Sequence, residues 1–385
     1  MVTKRAKLWL TRGTTIGLLV AVVVVSVATW LQSATIASDW LDGSRGADQG
    51  SVFVLAVGEA EITLGDGDDP ERPGVWGLVL DGGRARIGPV ISSSDGAVRR
   101  SLIGVSGTVT SGAEGRFDAA VWGVDTDFEA FGLTETAIEG PEGDLPSWLG
   151  EGDDDTWVIM VHGTGFNRAQ ALRLLPAVQA AGFPVLVPAY RNDVGAPDAG
   201  GRHGYGRDEW RDLQAAVNFA LALGARDVVL TGFGSGGSIV GTFLYESRLA
   251  ERVVGVILDA PILSLGAAVD VAWEPSGIPG FIAEWAKAVA ALRYSIDWAA
   301  LDHVARASEW VPPVLILHGR EDAVSPLAVS EAFALARPDS TRLLTFPDAG
   351  ANASWNTDPE RYEEIVIGFL AEVAAGPSDF DPVDD

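Results

Sequence analysis

The chain has 385 residues, 47% of them hydrophobic and 21% charged, a balance that argues against a disordered chain and allows one large domain, or a large and a small one. A formal net charge of −26 argues against nucleic acid or an anionic lipid surface as a partner of the main body, because phosphates would be repelled. The chain has no cysteine, which excludes disulfides, thiolate metal sites and a cysteine nucleophile.

Residues 1–12 carry Lys4, Arg5, Lys7 and Arg12, and residues 13–38 carry no charge at all. The apolar centre of that run, "IGLLVAVVVVSVATWL", is long enough to cross the ~30 Å hydrocarbon core as a helix. The basic flank predicts a cytoplasmic N-terminus and a main body outside the cell membrane, held by an uncleaved signal anchor. A cleaved signal peptide is the rival reading, since "SATIAS" offers small residues for cleavage, although its apolar part would run only ~7–15 residues.

Residues 39–124 read as a linker and a small β-rich module. The segments "VFVLAV", "EITL", "GVWGLVL", "ARIGPVI" and "GTVT" are short strands separated by Gly, Asp and Pro clusters. A spacer and a binding module fit this pattern equally, and the module holds no catalytic chemistry.

From about residue 155 strands alternate with helical periodicity. "TWVIMVHG", "FPVLVPAY", "RDVVLTG", "RVVGVILDAP" and "PPVLILHG" are apolar runs, and between them "AQALRLLPAVQAAG", "RDEWRDLQAAVNFALALGA" and "SGGSIVGTFLYESRLA" have helical spacing. Fully apolar strands between helices imply an α/β fold with a mostly parallel central sheet covered on both faces. In such sheets the site lies at the carboxyl ends of the strands. The Trp- and Ala-rich stretch at about 262–310 is an insertion, and residues 376–385, "GPSDFDPVDD", read as a disordered acidic tail.

The order "HGTG" after one strand, "GFGSGG" after another and "HGRED" after a later one resembles the α/β-hydrolase superfamily. More narrowly, it resembles bacterial serine esterases and prolyl-oligopeptidase-like hydrolases with an N-terminal anchor. The resemblance covers residues 125–375 and implies an α/β-hydrolase fold with a cap insertion at about 262–310. It also implies an oxyanion loop at His162, Gly163 and Thr164.

In that family the nucleophilic serine sits on a sharp strand-to-helix turn of pattern G-x-S-x-G. Two registers are open. Anchored on the strand "VVLTG", the small positions fall on Gly232, Gly236 and Gly237, and Gly234 stands where the serine should be. Ser235 then follows the nucleophile position, with its N–H in the oxyanion hole. Shifted by one, Ser235 becomes the nucleophile, but Phe233 then occupies a position where a large side chain crowds the turn.

By the same resemblance Asp322 takes the place of the triad acid, with Asp259 in "LDAP" a weaker substitute. Ala351, in "FPDAGANASWN", stands where the family has its histidine. The four histidines are His162, His203, His303 and His318. His162 and His318 follow strands and read as structural, and His303 reads as a helix position. His203 lies in the loop "GGRHGYGRDEW", and an improvised dyad with Ser235 is the alternative it offers.

Other chemistries fit less well. "GFGSGGS" lacks the third glycine of a dinucleotide fingerprint, and "GDGDDPE" and "EGDDDT" lack the spaced ligands of a calcium loop. No cofactor is expected. The sequence thus predicts a membrane-anchored pseudo-hydrolase that binds a ligand or partner of unknown kind. Two alternatives stay open: an active esterase or peptidase using Ser235 and Asp322, and a purely structural tethered domain.

Overall fold

The computed structural model describes residues 2–42, 50–123 and 126–376, with side chains from residue 18 onward. The predicted acidic tail lies outside the described residues except for Gly376.

Helix α1 (Val2–Ile36) runs on without a break into a five-residue π-helical turn, Ala37–Leu41. At 1.5 Å per residue α1 alone is roughly 50 Å long. Its stretch Leu18–Leu41 is long and apolar enough to cross a membrane. The helix therefore outlasts the expected span of 13–38 by three residues. Those last residues are not linker, because Trp40 and Leu41 are buried in the body of the protein.

Six antiparallel strands follow: β1 (Ser51–Val57), β2 (Glu61–Gly67), β3 (Trp76–Leu80), β4 (Gly83–Ser94), β5 (Ala97–Gly107) and β6 (Glu114–Asp118). They close into a barrel in the order β1-β2-β5-β4-β3-β6, with β6 pairing back to β1. Closure removes the exposed edges that an open sheet would present. Its interior and the large domain share one apolar cluster, and Asn356 ties them together by donating to the carbonyls of Val75 and Ala119.

The large domain is an eight-stranded sheet: β7 (Leu133–Gly140), β8 (Gly143–Gly150), β9 (Thr156–Val161), β10 (Val185–Pro188), β11 (Asp227–Phe233), β12 (Val253–Asp259), β13 (Val314–Gly319) and β14 (Thr341–Phe346). Its order is β7-β8-β10-β9-β11-β12-β13-β14, antiparallel through β10 on one side and parallel from β10 through β14. Buried apolar side chains fill both faces of β9, β11, β12 and β13, as expected for parallel strands sandwiched between helices.

Helices α2 (Leu175–Ala180), α3 (Trp210–Ala222), α4 (Ser235–Glu246), α7 (Leu327–Ala336), α8 (Ser354–Thr357) and α9 (Pro359–Ala375) connect or follow these strands. The helical run expected after β9 divides into a 3-10 segment, Arg168–Arg173, and the short α2, which begins at Leu175-Pro176. Proline is accommodated in a first helical turn but not inside a helix. At α9 the Asp358 side chain caps the Arg361 N–H, with Pro359 as the first helical residue. Helices α5 (Leu265–Trp273) and α6 (Gly280–Tyr294) lie in the insertion between β12 and β13.

Candidate functional site

The elbow sits at the carboxyl end of β11. Gly234 joins strand to helix at φ 53°, ψ −117°, a conformation that strains any residue with a β-carbon. Three backbone bonds hold it: its N–H donates to the Asp259 carbonyl, and its own carbonyl accepts from Ile262 and Gly237. The surrounding glycines are required by contact. A β-carbon on Gly232 would come within 2.5 Å of the Gly237 nitrogen, one on Gly237 within 2.8 Å of Pro261 Cβ, and one on Gly236 would overlap the Val161 carbonyl. The sharp turn therefore centres on Gly234, and Ser235 is the first residue of α4.

Ser235 faces the loop after β9. Its Oγ accepts from Thr164 N–H at 2.7 Å and donates to Thr164 Oγ1 at 2.9 Å. Gly163 N–H donates to Gln170 Oε1, and Gln170 Nε2 donates in turn to Asn352 Oδ1 at 3.3 Å. The loop expected to form an oxyanion hole lies beside the elbow, with both of these N–H groups already engaged by side chains.

Asp322 is buried beyond the end of β13. Its Oδ1 accepts from the Val324 and Ser325 N–H groups at 2.8 and 2.7 Å, while Oδ2 has no hydrogen-bond partner among the described residues. Burial pushes its pKa up to about 6, against the pull of the backbone N–H groups of Ser325 and Val324. An orphaned, desolvated carboxylate oxygen is costly. In a triad that lone pair would receive the histidine N–H.

Asp259 does not replace it. The carboxylate is buried behind the elbow, where Oδ2 meets Arg173 Nη1 at 3.4 Å and Tyr362 OH at 3.1 Å. Burial raises its pKa despite the Arg173 charge.

Each histidine is accounted for. His162 donates through Nε2 to Asp193 Oδ2 at 2.8 Å, lies 3.1 Å through Nδ1 from the Gly163 carbonyl, and stacks on Tyr190. Burial opposes its charge, but Asp193 outweighs burial and its pKa is raised. His303 bonds Ser238 Oγ at 2.7 Å, and burial drives its pKa down to about 3. His318 donates through Nε2 to the Ser325 carbonyl and pairs through Nδ1 with Ser330, and burial lowers its pKa to about 4. It comes within 3.8 Å of Asp322 Oδ2 with its proton already committed to Ser325. His203 is held rather than swinging: its backbone N–H donates to the Leu41 carbonyl, and its ring meets the Tyr190 ring edge-on. Ser235 Oγ bonds Thr164 through both its donor and an acceptor site, and among the described residues no histidine is its partner.

Two residues that sequence reasoning did not single out complete the site. Asn352 projects toward the elbow: a β-carbon on Gly234 would lie 3.6 Å from Asn352 Oδ1. Its neighbour Ala351 is buried but does not line the small cavity above Gly234. The second is Trp40, which is 2% exposed and walls that cavity together with Thr164, Tyr205, Ile262 and Asn352. Tyr205 OH donates to the Trp40 carbonyl at 3.0 Å, and Arg202 pairs with Asp42 at 3.0 Å. The continuation of α1 is thereby fixed over the elbow, leaving about 40 Å³, room for a few waters. Among the described residues no group of three His, Asp or Glu side chains is arranged to hold a metal ion.

Comparison with known proteins agrees with this fold. A family model described as "Alpha/beta hydrolase family" matches residues 158–365, and one described as "Domain of unknown function (DUF8805)" matches residues 53–118. No curated protein matches the chain. Among solved structures, the Pyrococcus furiosus esterase Pf2001 superposes with a TM-score of 0.51 at 17% identity, over 64% of this chain and 96% of that one. A thermophilic esterase from Thermogutta terrifontis gives 0.46 at 22% identity over 62% and 99%. Est1E from Butyrivibrio proteoclasticus, with ferulic acid bound, gives 0.49 at 18% over 62% and 99%. The likeness to Pf2001 speaks to the fold alone. Since the family model spans more than half of its residues, the chain belongs to the alpha/beta hydrolase family.

Proposed function

We propose that the chain is a membrane-tethered, outward-facing pseudo-hydrolase that uses its α/β-hydrolase domain as a binding scaffold and not as a catalyst. The observation that carries this reading is the glycine at the strained elbow position, paired with a buried Asp322 whose Oδ2 has no hydrogen-bond partner among the described residues. A serine hydrolase needs a nucleophile, a base within about 2.6–3.2 Å of it, and an acid that orients the base. In this reading the acid has outlived its histidine, and Gly234 has no side chain to deprotonate.

The anchor follows from α1, whose basic N-terminal flank favours a cytoplasmic start. The blocked cavity over Gly234 favours a macromolecular partner over a small ligand, because ligand pockets usually offer ~300–1,000 Å³. The alternative of an active Ser235 is opposed by the engagement of its Oγ with Thr164 at both bonds.

The test is hydrolysis of p-nitrophenyl acetate by the full chain and by Trp40→Ala, which opens the cavity. Both are expected to match buffer alone. Saturable turnover by either, lost on Ser235→Ala, would overturn the proposal.

A further inference from the structure

Helix α6 carries an apolar stripe on its outer side. Phe281 is 58% exposed, Trp285 64% and Leu292 88%, and Ala288 between them is also exposed. The spacing 281, 285, 288, 292 keeps them on one helix face. The opposite face is built for contact: Ala286 and Ala290 are fully buried in the cluster that contains Ile36 and Trp40. Leaving Phe, Trp and Leu together in water forgoes the favourable burial of three large apolar side chains. A contiguous face of this kind marks an interaction surface.

What lies beside the stripe identifies its partner. α6 packs along α1, and α1 leaves Leu18, Val20, Val24, Val27 and Leu31 exposed. The two helices are joined near the outer end of the apolar run. Arg293 Nη1 donates to the Trp30 carbonyl at 3.0 Å and to Ser33 Oγ at 2.7 Å, and its guanidinium lies 3.7 Å from the Trp30 ring centroid. Counting about 20 residues on from Arg12 brings a spanning helix to this level. Tryptophan beside a cationic side chain is the usual composition of the membrane–water boundary.

We propose that the exposed face of α6 docks in the lipid interface next to α1, so that the cap insertion is itself a membrane-binding element. The proposal rests on the reading of α1 as a membrane anchor. The occupant is the interfacial zone of a bilayer. Its headgroups are zwitterionic by preference, because the chain's net charge of −26 repels anionic lipid. Docking would hold the domain at a fixed tilt and bring the Trp40-covered elbow close to the membrane.

A chain without native cysteine makes the test clean. Val23→Cys, Trp285→Cys, Leu292→Cys and Leu335→Cys, each made singly in the full chain, are labelled with an environment-sensitive fluorophore. Each protein is then reconstituted in phosphatidylcholine vesicles with or without lipids bearing a quencher on the acyl chain. The expected result is at least twofold quenching, with a blue-shifted emission, at 23, 285 and 292, and an aqueous signal at 335 on α7. Quenching at 23 with an aqueous signal at 285 and 292 would overturn this proposal and leave the anchor standing. An aqueous signal at 23 as well would remove the anchor reading itself. Shielding at 285 and 292 that ignores the quencher lipid and grows with protein density would assign the face to a second copy, and would equally overturn the proposal.

Discussion

A β-carbon placed on Gly234 would lie 3.6 Å from Asn352 Oδ1 and 3.8 Å from its Nδ2, ordinary van der Waals distances. The elbow therefore has space for a serine. What faces that space is an amide, which cannot accept a proton from a hydroxyl at neutral pH.

Gly234→Ser alone is accordingly expected to fold and to remain inert. Adding a histidine, as Ala351→His or separately as Asn352→His, in the Trp40→Ala background supplies a base near Asp322. One of the two combinations should raise p-nitrophenyl acetate hydrolysis by at least about a hundredfold, the lower end of what a positioned general base contributes. Circular dichroism verifies folding. Two folded but inactive combinations would show that the loss extends beyond the reacting side chains.

Asp322 makes a pH prediction. Its folded pKa of about 6 lies above its ordinary value of 3.8. The unfolded chain therefore ionises first as pH rises, and the group's favourable contribution, complete below about pH 4, is lost by the time the pH passes about 6. A shift of this size corresponds to about 3 kcal/mol. Asp322→Asn should therefore gain stability relative to the parent between pH 4 and 6 and hold that gain at pH 8. Denaturant unfolding across this range measures it, and a parallel pair of curves would refute the orphaned carboxylate.

Trp40→Ala should destabilise the protein by about 3–5 kcal/mol, the usual cost of truncating a buried aromatic side chain. Because Trp40 continues from α1 and contacts Tyr205 through its carbonyl, Trp40→Phe retains most of the packing and should cost much less. Thermal unfolding of the two variants in detergent compares them. Equal effects would mean that the indole does not fill the space above the elbow.

Arg173 and Asp259 form a buried pair next to the elbow. Asp259→Asn or Arg173→Met alone leaves an uncompensated charge, and each is expected to cost about 3–5 kcal/mol. The double variant should cost less than the sum of the two. A double-mutant cycle by chemical denaturation reads the coupling, and strict additivity would contradict it.

Much of the fold was legible because its signals are local. β9, β11, β12 and β13 are uninterrupted apolar runs, and the glycine register of "GFGSGG" is dictated by backbone contacts that any larger residue would break. β6, "EGRFD", and β7, "LTETAIEG", were not legible, since strands this polar are defined by their partners across the ladder. Asn352 could not be told from Ala351 as the residue facing Gly234. In a loop, which side chain points inward depends on a backbone turn, here a positive φ of 55° at Asn352. Trp40 looked like linker because its partners, Tyr205 and Ile262, are far along the chain. The sequence pattern carries composition and period, but not which distant segment covers a pocket.

On the proposed reading the site is silent because nucleophile and base are lacking, with or without the Trp40 cover. The most direct test is the intact mass of the full chain and of Trp40→Ala after exposure to a fluorophosphonate. The proposed reading predicts an unchanged mass for both, because it leaves no serine with a base to activate it. A stoichiometric adduct mapped to Ser235 in either protein would contradict the account.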